Sequence, residues 1–65
     1  MEEKLKELFA DYTDVGLHQE YNFNYAYTND FFILKDRVEL RSCKKIKKED
    51  LVKILEVMSW LENLE

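Results

Sequence analysis

The chain has 65 residues and a formal net charge of −4, with 46% hydrophobic and 14% aromatic side chains, one Gly, no Pro and one Cys. That balance is globular rather than disordered, and a lone Cys43 excludes an internal disulfide framework and fits a reducing compartment. No apolar run approaches the roughly 18 residues that span a bilayer, and the opening MEEKLKELF lacks the basic and apolar regions of a signal peptide.

A single small domain over residues 1–65, soluble and cytoplasmic, is therefore expected. A chain this short buries only about 60% of the surface its unfolded form exposes, so a homodimer or docking on a larger protein partner is a reasonable way to add buried area. The charge is segregated. Residues 1–30 carry two lysines against seven acids, a net of −5; residues 35–48 carry seven Lys/Arg against Asp36 and Glu39, a net of +5. Residues 49–65 carry Lys53 against five acids, a net of −4. Such a chain can neutralise itself in the fold or present two separate patches.

In chain order, Leu5, Leu8, Phe9, Tyr12 and Val15 recur on a helical period and predict a first helix with one apolar stripe. Glu2 and Glu3 suit the positive end of its dipole, and Glu2 with Lys6 is a favourably oriented i,i+4 pair. Gly16 falls where a left-handed residue would end the helix, with Leu17 as the apolar contact behind it.

The stretch EYNFNYAYTND, residues 20–30, then alternates strictly and predicts a strand ending in a two-residue Asn29-Asp30 turn, with Asn tolerating positive φ. That turn pairs Tyr27 with Phe32, Tyr25 with Leu34, Phe23 with Asp36 and Tyr21 with Val38 on one face. The other face pairs Ala26 with Ile33, Asn24 with Lys35, Asn22 with Arg37 and Glu20 with Glu39. Turn chemistry and hydrophobic pattern agree on this register. Asp36 dissents, because it falls opposite Phe23 on the apolar face, where an unpaired carboxylate is costly. Either the second strand runs on with Asp36 reaching a cation or the sheet edge, or it breaks at Lys35-Asp36-Arg37 into a three-stranded meander.

From about Lys47, a longer helix carries Leu51, Ile54, Leu55, Val57, Met58, Leu61 and Leu64 on a broad apolar face, with Val52 and Trp60 at its flanks. Glu49 and Asp50 occupy its first turn, without a Ser/Thr/Asn cap before them. The expected fold class is α+β: helix, antiparallel hairpin or three-stranded meander, and helix, with both helices packed on one sheet face.

Four aromatics on one edge of a strand are either a platform for stacking bases or half of a core. A stacking platform needs exposed rings on a basic surface. The cations Lys35, Arg37 and Arg41 fall on the opposite parity, so Tyr21, Phe23, Tyr25 and Tyr27 are assigned to the core. The outward face would then hold Ala26, Phe31 and Ile33 beside Asn22, Asn24, Lys35 and Arg37, an apolar patch with a polar rim suited to protein contact. Trp60 is a second anchor, and the open strand edges can accept a strand from a copy or a partner.

The run RSCKKIKK supplies Arg41, Lys44, Lys45, Lys47 and Lys48, which together with Arg37 form an alternative nucleic-acid surface. A pI of about 5.0 is far from that of typical nucleic-acid modules. His18 has no second His and Cys43 no second Cys, so no metal site is expected. No activating motif, paired acid or cofactor signature points to catalysis. The chain is expected to be a non-enzymatic interaction module, a small regulator or inhibitor of a larger protein, with an acidic nucleic-acid mimic as one variant. A nucleic-acid binder and a structural or assembly subunit are the alternatives.

Overall fold

A computed structural model of the chain describes residues 2–21, 23–42 and 45–64. It contains α1 (Glu2–Leu8), β1 (Gly16–Glu20), β2 (Phe23–Tyr27), β3 (Phe31–Ile33), β4 (Val38–Leu40) and α2 (Lys48–Asn63). The strands form one antiparallel sheet in the order β1-β2-β3-β4. The architecture is α+β, with four strands where two or three were expected.

α1 stops earlier than its apolar stripe suggests. Phe9 N closes the last α-type bond to Leu5 O at 2.9 Å, and the backbone then tightens, with Tyr12 N donating to Phe9 O three residues back at 2.9 Å. The reversal into β1 is made by Asp14 at φ 55°, the one non-glycine with positive φ among the described residues. A short acid side chain tolerates that region better than most residues. Gly16, expected in this role, instead lies in β1, where it solves a different problem. A Cβ there would stand 2.5 Å from the Tyr27 hydroxyl oxygen and 2.7 Å from Cζ. Glycine lets the Tyr27 ring lie across β1.

The expected long strand from Glu20 is interrupted. Glu20 pairs with Phe23, and Tyr21 leaves β1 between them at 93% exposure. The expectation for Asn22 falls outside the described residues. The β2–β3 register is the one expected, Ala26 with Ile33 and Tyr27 with Phe32. Its turn carries no positive φ at Asn29 or Asp30. Thr28 holds it instead: the buried hydroxyl accepts from Asp30 N at 3.1 Å and Phe31 N at 3.2 Å. Asp36 also resolves as a break. Leu34 N donates to Arg37 O at 2.8 Å, which folds Lys35-Asp36 into a turn and leaves the Asp36 carboxylate in solvent beside Arg37.

The registers line up two rows. Leu17, Ala26, Ile33 and Val38 stand side by side on one face; Gly16, Tyr27, Phe32 and Glu39 stand on the other. The core joins Ala26, Phe31 and Ile33 to Leu5 and Phe9 from the α1 side and to Ile54, Val57 and Leu61 of α2. Phe9, Tyr12 and Phe31 meet edge-on, with ring centroids 5.3 to 5.8 Å apart. α2 starts at Lys48 with no side-chain cap. Its first turn is tied down by Asp50, which is buried, accepts the Tyr12 hydroxyl through Oδ2 and stands 3.8 Å from Lys53 Nζ.

The expected faces are therefore exchanged. Ala26, Phe31 and Ile33, expected on the outward patch, lie in the core, with Phe31 and Ile33 at 0% exposure. The reason is steric and polar. Ala26 is small enough for α2 to come close, and Phe31 and Ile33 have no polar atoms. The tyrosines on the other row carry hydroxyls that need water or a partner. On α2, likewise, Leu51, Val52 and Leu55 remain exposed, while Ile54, Val57 and Leu61 face the sheet.

Two stability outcomes follow. Ile33→Asp buries an unpaired carboxylate in the core and is expected to unfold the chain, whereas Phe23→Asp on the other face should leave the melting temperature nearly unchanged; equal effects in thermal denaturation would contradict this assignment of faces. Gly16→Ala is expected to cost about 1–3 kcal/mol through overpacking against Tyr27. In a double-mutant cycle that cost should vanish once Tyr27 is Ala; full additivity would show that the ring does not set it.

Candidate aromatic interface

The face opposite the helices carries His18 of β1, Phe23, Tyr25 and Tyr27 of β2, and Phe32 of β3, brought together by the registers above. Tyr25 is the hub. Its ring stacks on His18 at 4.8 Å and 18°, lies 5.3 Å from Phe23 and 6.1 Å from Tyr27, and meets Phe32 edge-on at 5.6 Å. Beside it, Phe23, Tyr25, Phe32, Leu34 and Glu39 line a shallow groove of about 230 Å³. Phe23 is 47% exposed and Leu34 is buried, so the groove has a closed floor and an open rim.

Charges frame these rings in pairs. The Arg41 guanidinium sits 4.9 Å from the Phe32 centroid, while its Nη1 donates to Thr28 O at 3.0 Å and to Asp14 Oδ2 at 3.3 Å. Arg37 donates from Nε to Glu39 Oε2 at 2.8 Å and from Nη1 to Asp36 Oδ1 at 3.1 Å. The Glu39 hydrogen bond first, and the Asp36 charge second, hold the Arg37 guanidinium above its already high ordinary pKa. His18 Nε2 lies 2.9 Å from Glu20 Oε1, so its ring is occupied by stacking and by one carboxylate. Among the described residues no three His, Cys, Asp or Glu side chains gather to hold a metal ion. No helix among them is long and apolar enough to cross a membrane.

No family model matches the chain, and no curated protein or solved structure is significantly similar to it. Its site is thus read from its own chemistry.

The residues expected at a contact surface scatter. Ala26, Phe31 and Ile33 are in the core, and Asn24 is half-buried opposite Gln19 of β1, in register with the helix-side row. Lys35 and Arg37 are exposed on the β3–β4 connection. Trp60 is half-buried on α2, where it lines a separate groove with Lys4, Glu7, Leu8 and Glu56. The basic set divides too. Arg37 and Arg41 border the rings but stand on carboxylates, Lys45, Lys47 and Lys48 are exposed on the approach to α2, and Lys44 lies outside the described residues.

The residues missing from the expected surface are Phe23, Tyr25 and Phe32, with Leu34, Glu39 and His18. A signal for them existed. The aromatic parity carries hydroxyls and the Ala26/Ile33 parity does not, so the tyrosine side is the one better left in water. The glycine preceding Leu17-His18-Gln19-Glu20 also suits a close ring–backbone approach in a strand.

Arg41 links the ring face to the β2–β3 turn and to the loop before β1. Arg41→Ala should therefore destabilise by about 1 kcal/mol, below the roughly 1.5–3 kcal/mol of a buried hydrogen bond to a charged group because solvent screens the Asp14 contact. Arg41→Lys should recover little of that, because an ammonium cannot stack on Phe32 and reach both oxygens as a planar guanidinium does. Full recovery by lysine in chemical denaturation would show that only the charge matters.

Proposed function

We propose that this chain is a non-enzymatic interaction module, a small regulator or inhibitor that binds a larger protein through its outer aromatic face. The observation that carries this reading is the asymmetry of the sheet. Both helices contribute to the core on one side, and on the other side a connected set of rings borders solvent with a shallow groove at its centre. Protein interfaces favour this composition, with aromatic anchors at the middle and paired charges at the rim. Rigid strands hold the rings, so little conformational entropy is lost on contact. A second copy of the chain is a variant of the same reading, with the homodimer formed across this face.

The open rings also favour a second reading, stacking of single-stranded nucleic acid. Against it, the chain carries a net −4, and the two arginines beside the rings already stand on Asp14, Asp36 and Glu39. Tyrosine fluorescence titrated with single-stranded DNA or RNA at low salt is expected to stay flat; quenching that weakens steeply with added salt would favour this second reading over the first.

The test of the main reading is affinity capture from the source cells. The wild-type chain and Val52→Asp, which alters an exposed position on α2, should retain the same partner, and Phe23→Asp should lose it. Retention by Phe23→Asp would remove the aromatic face as the contact. Sedimentation of the wild-type chain at high concentration distinguishes a copy from a foreign partner.

A further inference from the structure

We propose that the groove beside Tyr25 receives a cationic side chain, a lysine or arginine presented by a basic segment of the partner. This rests on the interaction-module reading and names what the interface would recognise. The lining consists of three rings, one aliphatic floor residue and one carboxylate: Phe23, Tyr25, Phe32, Leu34 and Glu39. At about 230 Å³ it is smaller than the roughly 300–1,000 Å³ of small-molecule sites, and its size suits one side chain rather than a metabolite.

The chemistry of the lining selects the sign of the occupant. Ring faces carry negative electrostatic potential, and beside them the Asp36–Arg37–Glu39 cluster holds two carboxylates against one guanidinium, with Glu39 half exposed at the wall and its Oε2 accepting from Arg37. An anion would meet the ring faces and a charge cluster with one carboxylate in excess, since Arg37 and Arg41 are already engaged by Asp36, Glu39 and Asp14. A purely apolar side chain would fill the groove and strip water from a Glu39 carboxylate that Arg37 engages through Oε2, without adding a donor, which costs free energy. A cation on an aliphatic stem satisfies both halves: the stem lies on Leu34 and the rings, and the head group meets the π faces and the carboxylate. The chain already shows one such arrangement from within, the Arg41 guanidinium 4.9 Å from the Phe32 centroid. The net charge of −4 draws a basic segment toward the protein before contact.

The experiment uses four synthetic heptapeptides on one Gly/Ser background. Their central residues are arginine, its neutral analogue citrulline, trimethyllysine, and trimethyllysine's neutral tert-butyl isostere. Binding to the full chain is followed by calorimetry and by shifts of the Phe23, Tyr25 and Phe32 ring protons. A cationic peptide is expected to move those rings and to bind about 3- to 30-fold more tightly than its neutral counterpart, the span of a cation–π contact from exposed to desolvated. Phe23→Leu and Glu39→Gln should each weaken the cationic peptide while leaving the neutral one unchanged.

Equal affinity for charged and neutral peptides overturns the proposal. So does binding whose shifts fall on the acidic residues of α1 instead of the rings. If neither cationic peptide binds and yet Phe23→Asp loses the captured partner, the interaction reading stands and the cationic occupant is wrong.

Discussion

Burial of Phe31 and Ile33 under the helices fixes nearly everything else in this molecule. Antiparallel registers put opposing residues on one face, so placing Ile33 inward also places Ala26, Leu17 and Val38 inward. The same registers send Gly16, Tyr27, Phe32 and Glu39 outward together. A sheet residue cannot be moved between faces singly, because a one-residue slip inverts the whole strand. Ala26 and Ile54 then share the core beneath α2, and Phe9 closes it from the α1 side against Phe31 and Tyr12. The aromatic surface is a consequence of this choice as much as a feature in its own right.

The outer face is nonetheless held by contacts of its own. Tyr27 lies over β1 only because position 16 has no Cβ. Arg41 spans the Phe32 ring, the Thr28 carbonyl and Asp14, which joins the end of β4 to the turn between β2 and β3 and to the positive-φ corner before β1. Thr28 in turn holds that β2–β3 turn with its buried hydroxyl. The β4 edge is three residues long and bordered by the Asp36–Arg37–Glu39 cluster, a combination that discourages pairing with another strand.

Local chemistry was legible where it was decided locally. The Asn29-Asp30 turn set the β2–β3 register and the acids at Glu49 and Asp50 marked the start of α2, while Asp36 marked a conflict on the apolar face without deciding between a continuous strand and the break that forms there. What could not be read was decided by competition between similar patterns. Both faces of the β2–β3 hairpin are apolar, Tyr27/Phe32 on one and Ala26/Ile33 on the other, and alternation alone gives no preference between them. The Tyr21 turn was concealed because the aromatic alternation runs through it without a break in parity. β1 was concealed because Gly16 is equally suited to ending a helix and to making room for a ring. The first of these ambiguities is why Ala26, Phe31 and Ile33, expected on the outward patch, lie in the core.

The rings of the outer face do not all have the same standing. Leu34 is buried although it faces away from the helices, and Tyr27 and Phe32 are half-buried beneath Arg41 and against β1. These side chains form a second, smaller apolar layer that shields the sheet, a reasonable aid to a chain too short to bury much surface. Phe23 and Tyr21 are different. Phe23 is half exposed at the groove rim, Tyr21 stands almost wholly in solvent, and neither belongs to the helix-side core. Leaving such rings in water gains the fold little, whereas a partner that covered them would recover most of their apolar area. If the aromatic face serves recognition, its affinity should therefore reside at the Phe23 end of the groove, and its stability at the Tyr27 and Phe32 end.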